Sequence, residues 1–116
     1  MSCLFNSLSH FINGTSDEIR NIICNYLQEN RPIIDGLDTN FILSLDNNNY
    51  INNMRNSSTW GGAIEIQAAC NIWNIRIIVL NKRSNENTYI EFLPVNNDYK
   101  HTIKLEWNGS HYEPVN

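Results

Sequence analysis

The apolar residues of this chain change period once, near residue 74, and that switch limits the fold more than any other feature. Before it they recur at spacings of three and four, the signature of helices; after it they run together or alternate, as strand residues do. Residues 3–11 set Leu4, Phe5, Leu8 and Phe11 on one face, which predicts a short helix that opens at Cys3 and stops at Asn13-Gly14. Thr15 followed by Glu18 is a capping box. The stripe Ile19, Ile22, Ile23, Tyr26 and Leu27 then predicts a second amphipathic helix, closed by Pro32.

Residues 33–58 are patterned more weakly. Apolar patches at Phe41-Ile42-Leu43-Leu45 and Tyr50-Ile51-Met54 predict two short helices joined by polar loops. Trp60-Gly61-Gly62 breaks the chain, and the following Ala63, Ile64, Ile66, Ala68, Ala69, Cys70, Ile72 and Trp73 are too apolar all round for a surface helix, so this is the predicted buried helix. Residues 75–80 are a β-branched run, residues 88–93 alternate imperfectly, and Ile103, Leu105 and Trp107 alternate with Lys104 and Glu106. Asn108-Gly109 is a strong hairpin signal that turns residues 102–107 back into residues 110–115. Helices first and strands after is an α+β layout, with the strands expected as an antiparallel meander. The 116 residues suit one domain.

Charge excludes one class of partner. Eight basic against twelve acidic side chains give a net charge of -4, and no stretch gathers Lys or Arg as phosphate neutralisation requires, so nucleic acid is not an expected partner. The longest apolar runs fall far short of the ~20 residues that span a bilayer, and Met1-Ser2 offers no basic region of a signal peptide. The expectation is a soluble intracellular protein with no membrane partner. Three cysteines, Cys3, Cys24 and Cys70, form neither an even disulfide framework nor a close zinc-binding pair, which favours free thiols.

A cysteine at a helix start sits beside unpaired backbone N–H groups that favour its thiolate. On spacing alone, Cys3 is either such a nucleophile or a small buried hydrophobe; Cys24 and Cys70 fit the second description better. A nucleophilic thiol needs a base, and the candidates are His10, His101 and His111. His10 lies too far along the same helix to reach Cys3, and His101 follows Tyr99-Lys100 in a polar loop. His111 opens the last strand just after a tight turn and is the best-placed base. Two residues on, Glu113 shares its face of the strand, where it either orients the imidazole or is a solvated edge carboxylate.

Three separated strings resemble one family. Cys3-Leu4-Phe5-Asn6-Ser7-Leu8-Ser9 is similar to the helix-opening cysteine motif of the ovarian-tumour (OTU) cysteine proteases. Thr59-Trp60-Gly61-Gly62, with Glu65-Ile66 after it, resembles the family's central tryptophan-diglycine helix start, and Trp107-Asn108-Gly109-Ser110-His111-Tyr112-Glu113-Pro114-Val115 resembles its histidine motif. Each string is short, but their order along one chain is specific.

The resemblance implies a papain-like fold, with N-terminal helices packed on a mainly antiparallel C-terminal sheet, and a cytoplasmic deubiquitinase, in host cytoplasm if the source is viral or bacterial. It implies Cys3, His111 and Glu113 as catalytic residues, the family more often having Asp or Asn at the last position. Trp60, Gly61, Ser110 and Tyr112 become candidate substrate contacts, although packing as a core anchor is the preferred reading of Trp60, and a tight turn that of Gly61 and Gly62. The implied partner is ubiquitin, a polyubiquitin chain or a related modifier, met by a monomer with no metal and no cofactor. Residues 47–58 and the loop at 81–87 are the expected meeting points with a second ubiquitin. The family carries Asp-Gly and one further residue before its cysteine, whereas Met1 and Ser2 alone precede Cys3, so the expected domain, residues 1–116, is truncated at its N-terminus. The competing readings are a catalytically impaired ubiquitin-binding module and a protease domain of a viral or transposon polyprotein.

Overall fold

The computed structural model describes residues 3–83 and 88–115. Met1, Ser2 and residues 84–87 of the 81–87 loop lie outside the described residues. Five helices come first: α1 (Cys3–Ser9), α2 (Ser16–Gln28), α3 (Thr39–Asp46), α4 (Tyr50–Met54) and α5 (Ala63–Trp73). Four strands follow: β1 (Ile75–Asn81), β2 (Thr88–Phe92), β3 (His101–Trp107) and β4 (Tyr112–Val115).

Local chemistry sets several of these boundaries. The capping box forms in full, with the Thr15 hydroxyl accepting the Glu18 N–H at 3.2 Å and Glu18 Oε1 accepting the Thr15 N–H at 3.0 Å. Asp38 caps α3 by accepting the Phe41 N–H. Asn74 ends α5 in the left-handed region at φ 53°, which Asn tolerates better than most residues, and so turns the chain straight into β1.

The strands do not form a meander. The sheet order is β2-β1-β3-β4, with β1 antiparallel to β2, β3 antiparallel to β4, and β1 parallel to β3. Two of the three pairings are antiparallel, but the middle one is not. The chain leaves β2, passes the N-terminal end of β1, where the Lys100 N–H donates to the Asn74 carbonyl, and enters β3 on the far side. His101 therefore pairs with Ile75 at the start of a strand instead of sitting in a loop. The reason is burial: β1 is the apolar centre, with Ile75, Ile77 and Val79 all buried, whereas β2 exposes Tyr89 and Ile90 and belongs at an edge.

The core lies between the sheet and the helices. Helix α5 packs on β1 and on α2, and α1 packs on both α2 and β4. Leu4, Phe5, Leu8, Ile19, Ile23, Leu27, Ile66, Ile77 and Leu105 are essentially inaccessible there. Two details depart from the periodicity. Ile22 of the predicted stripe is exposed, because α2 is rotated to bury Arg20 and Cys24 instead, and Phe41 and Leu45 of α3 face outward while Leu43 alone of that patch is fully buried.

Replacing Thr15 by Ala removes the cap acceptor of α2. It is expected to lower unfolding stability by about 1 kcal/mol, read from the urea midpoint at unchanged slope.

Candidate active site

Helix α1 brings Cys3 to the edge of the sheet. Because α1 packs against β4, its first turn lies along the strand that follows His111. Of the three cysteines, Cys3 is partly exposed while Cys24 and Cys70 are fully buried and unpaired. Burial pushes the Cys24 thiol up to about 11 and the Cys70 thiol up to about 12, so neither ionises near neutrality. Tyr112 registers the proximity of α1: burial raises its phenol, and the charge of Cys3 adds to that rise.

The histidine turn is built by one side chain. Asn108 Oδ1 accepts the Ser110 N–H at 3.1 Å and the His111 N–H at 2.9 Å, and the Asn108 N–H donates back to the His111 carbonyl. Gly109, at φ 107°, takes the left-handed bend between them, which a side chain would strain. His111 thus enters β4 at a fixed angle. Its Nε2 stands 3.6 Å from Glu113 Oε1, an ion-pair distance between two half-exposed groups. The cross-strand neighbour of Glu113 is Glu106, whose carboxylate lies 3.9 Å from Lys82 Nζ. His10 falls past the end of α1, with its ring edge-on to Phe11, and His101 is at the opposite end of β3 from the turn.

Trp60 is not a core anchor. It is 50% exposed. Gly61 is the residue that packs: a Cβ there would meet Leu4 Cδ2 at 2.7 Å and two carbons of the Phe5 ring at 3.0 Å. Its missing side chain lets residues 59–61 lie directly against the first turn of α1, which is a close approach and not a turn. Ser110 is exposed, with its hydroxyl turned back to Asn108 Oδ1. Tyr112 is half-buried beside Trp107, their ring centroids 6.4 Å apart.

Sequence reasoning gave no role to the buried charges beneath this surface. Glu65, 1% exposed, accepts the Gly62 N–H on Oε1 at 2.7 Å and the Tyr50 hydroxyl on Oε2 at 2.6 Å. Burial pushes its carboxyl above the ordinary value, opposed by the Tyr50 and Gly62 hydrogen bonds and the nearby Arg20 charge. The Tyr50 phenol is likewise driven up by burial, with the Glu65 charge adding. Arg20, 2% exposed, donates from Nη1 to the Met54 carbonyl at 2.7 Å and from Nη2 to the Thr59 carbonyl at 2.9 Å. The signal for Arg20 was its spacing, since Arg20, Ile23, Cys24 and Leu27 fall at i, i+3, i+4 and i+7.

Two outcomes follow from this packing. Gly61→Ala drives a methyl into Leu4 and Phe5, both fully enclosed, and is expected to cost about 1–3 kcal/mol in a urea or thermal melt. For Glu65, a folded-state value above the ordinary 4.5 means that, between 4.5 and that raised value, the folded chain holds a proton the unfolded chain has lost. Its contribution to stability therefore falls as pH rises through that window and returns on acidification. The stability lost in Glu65→Gln should accordingly be larger at pH 5 than at pH 7.5; a gap that widens with rising pH would contradict the assignment.

Comparisons with known proteins bear on the family and the fold. A family model described as OTU-like cysteine protease matches residues 2–113. The ubiquitin thioesterase otu2 of Schizosaccharomyces pombe is 32% identical over 113 residues, covering 90% of this chain and 35% of that protein. The OVARIAN TUMOR DOMAIN-containing deubiquitinating enzyme 10 of Arabidopsis thaliana is 27% identical over 118 residues, covering 98% of this chain and 32% of that protein. The chain thus spans about a third of the length of these relatives. Among solved structures, an OTU domain in complex with ubiquitin aligns at a TM-score of 0.76 and 23% identity over 97% of this chain and 62% of its own. An OTU deubiquitinase from Wolbachia pipientis wMel, bound to ubiquitin, aligns at 0.69 and 17% identity over 99% and 89%. With the family model matched from end to end of the described fold, the chain belongs to the OTU-like cysteine proteases.

Proposed function

We propose that this chain is a cysteine-dependent deubiquitinase that hydrolyses the isopeptide bond between the C-terminus of ubiquitin, or a related modifier, and a lysine amine. The observation that carries the reading is the packing of α1, which opens at the one partly exposed thiol, on β4, the strand that follows His111 and carries Glu113. The likeness to a ubiquitin thioesterase and to ubiquitin-bound OTU domains supports ubiquitin as the modifier.

In this reading Glu113 faces Nε2 of His111, so Nδ1 is the nitrogen that takes the Cys3 proton. The thiolate attacks the carbonyl carbon of the modifier's last residue, and backbone N–H groups near Cys3 hold the oxyanion. The imidazolium then gives its proton to the departing lysine amine, leaving a thioester. Water, deprotonated by His111, attacks the thioester carbonyl; the sulfur leaves and the carboxylate departs. Trp60 and Tyr112 flank the path of the modifier's tail, with Ser110 at the turn. Three unpaired cysteines accord with a reducing compartment such as the cytoplasm.

Lysine-linked diubiquitin is the test substrate. Cys3→Ala is expected to abolish cleavage and His111→Ala to reduce it by at least ~10³-fold, both with intact thermal transitions. Glu113→Gln should lower turnover by only about two- to five-fold, because an exposed pair contributes up to ~1 kcal/mol. Cleavage that persists in folded Cys3→Ala would overturn the proposal.

A further inference from the structure

The charge of Arg20, almost wholly enclosed in the protein, has no part in the chemistry just described. We infer that Arg20 is a positioning residue for the Cys3 thiol, acting through the Phe5 ring and through the backbone of residues 54–61; this rests on the proposed function.

The guanidinium reaches across the protein to three carbonyls. Nη1 donates to Met54 at 2.7 Å, while Nη2 donates to Thr59 at 2.9 Å and to Ser57 at 3.4 Å. These acceptors lie 34 to 39 residues away in sequence, and they span the stretch of backbone that ends at Trp60-Gly61. The same guanidinium stands 4.1 Å from the centroid of the Phe5 ring. Phe5 sits in the first turn of α1, two residues after the nucleophile, and two of its ring carbons are the atoms that press on Gly61. One planar cation therefore holds both partners of the Gly61–α1 contact, the helix that carries Cys3 and the segment that lies against it.

A rigid fork suits this task. The fixed spread of the two Nη groups sets the Met54 and Thr59 carbonyls relative to each other, and the flat face stacks on the ring at the same time. A lysine ammonium is a point charge that meets one or two of the carbonyls and offers no face to the ring. Glu65 takes the Gly62 N–H at the other end of the same stretch, so residues 54–62 are held at both ends from the interior. Arg20 touches neither substrate nor thiol; its effect reaches the reaction only as the placement of α1.

Misplacement of a reacting group by about an ångström costs on the order of 10²-fold in rate, and it acts on turnover rather than on binding of the modifier's surface. The experiment is steady-state hydrolysis of ubiquitin carrying a fluorogenic C-terminal amide by the full chain, the wild type against Arg20→Lys and Arg20→Met. Expected is a fall in kcat of about 10-fold for Lys and about 100-fold for Met, with KM within about twofold in both and the thermal transition still cooperative. Partial recovery in the lysine variant is part of the expectation. Should Arg20→Met fail to fold, Arg20→Lys and Phe5→Leu decide, the latter removing the aromatic face while keeping the clamp on the carbonyls. A folded variant whose kcat stays within twofold of wild type, or whose loss lies in KM, overturns the inference. Absence of turnover in the wild type overturns the proposed function instead, and this inference with it.

Discussion

Gly61 lies where a Cβ would stand 2.7 Å from Leu4 and 3.0 Å from Phe5, so residues 59–61 reach α1 only because that side chain is absent. Much of the site depends on this contact. It fixes one side of the helix that begins at Cys3, while β4 fixes the other, and the thiol is thereby held at the boundary between helices and sheet. The indole of Trp60, next in the chain, is half-exposed. A small change in volume, one methyl group, separates this arrangement from one in which the first turn of α1 must move.

Beneath that contact lie two buried charged side chains. Arg20 and Glu65 are both almost inaccessible, and each would destabilise the fold if left unpaired. Both are instead hydrogen-bonded, Arg20 through its two Nη groups to the carbonyls of Met54, Ser57 and Thr59, Glu65 to the Gly62 N–H and the Tyr50 hydroxyl. An apolar pair could fill the same volume, but it could not satisfy backbone groups that have no helix or strand to bond to. The buried charges thus serve an irregular stretch of chain that the packing needs in one position.

How much of this the sequence carried depends on whether the information was local. The Thr15–Glu18 box, the stripe of α1, the apolar α5 and the Asn108-Gly109 turn are all decided within a few residues, and each formed where the pattern placed it, except that α1 ends at Ser9, short of Phe11. The parallel pairing of β1 with β3 was not local: hairpin signals say that two neighbouring strands fold back, not which side of the sheet the next one joins. The same holds for Gly61, whose close contacts are residues 4 and 5, and for Arg20, whose acceptors are more than thirty residues distant. Cys3, His111 and Glu113 stand out as candidates because each belongs to a short string; the buried Arg20 and Glu65 do not, because most of their partners are backbone atoms that no side-chain pattern encodes.

The central claim is that Cys3 is a nucleophile served by a ubiquitin-binding surface on this fold. It is tested most directly by incubating the purified chain with ubiquitin bearing an electrophile at its C-terminus, followed by intact-mass measurement and peptide mapping. The account predicts a single adduct of one ubiquitin per chain, located on Cys3, with Cys24 and Cys70 unmodified. A folded sample that forms no adduct, or forms one on either buried cysteine, would contradict it.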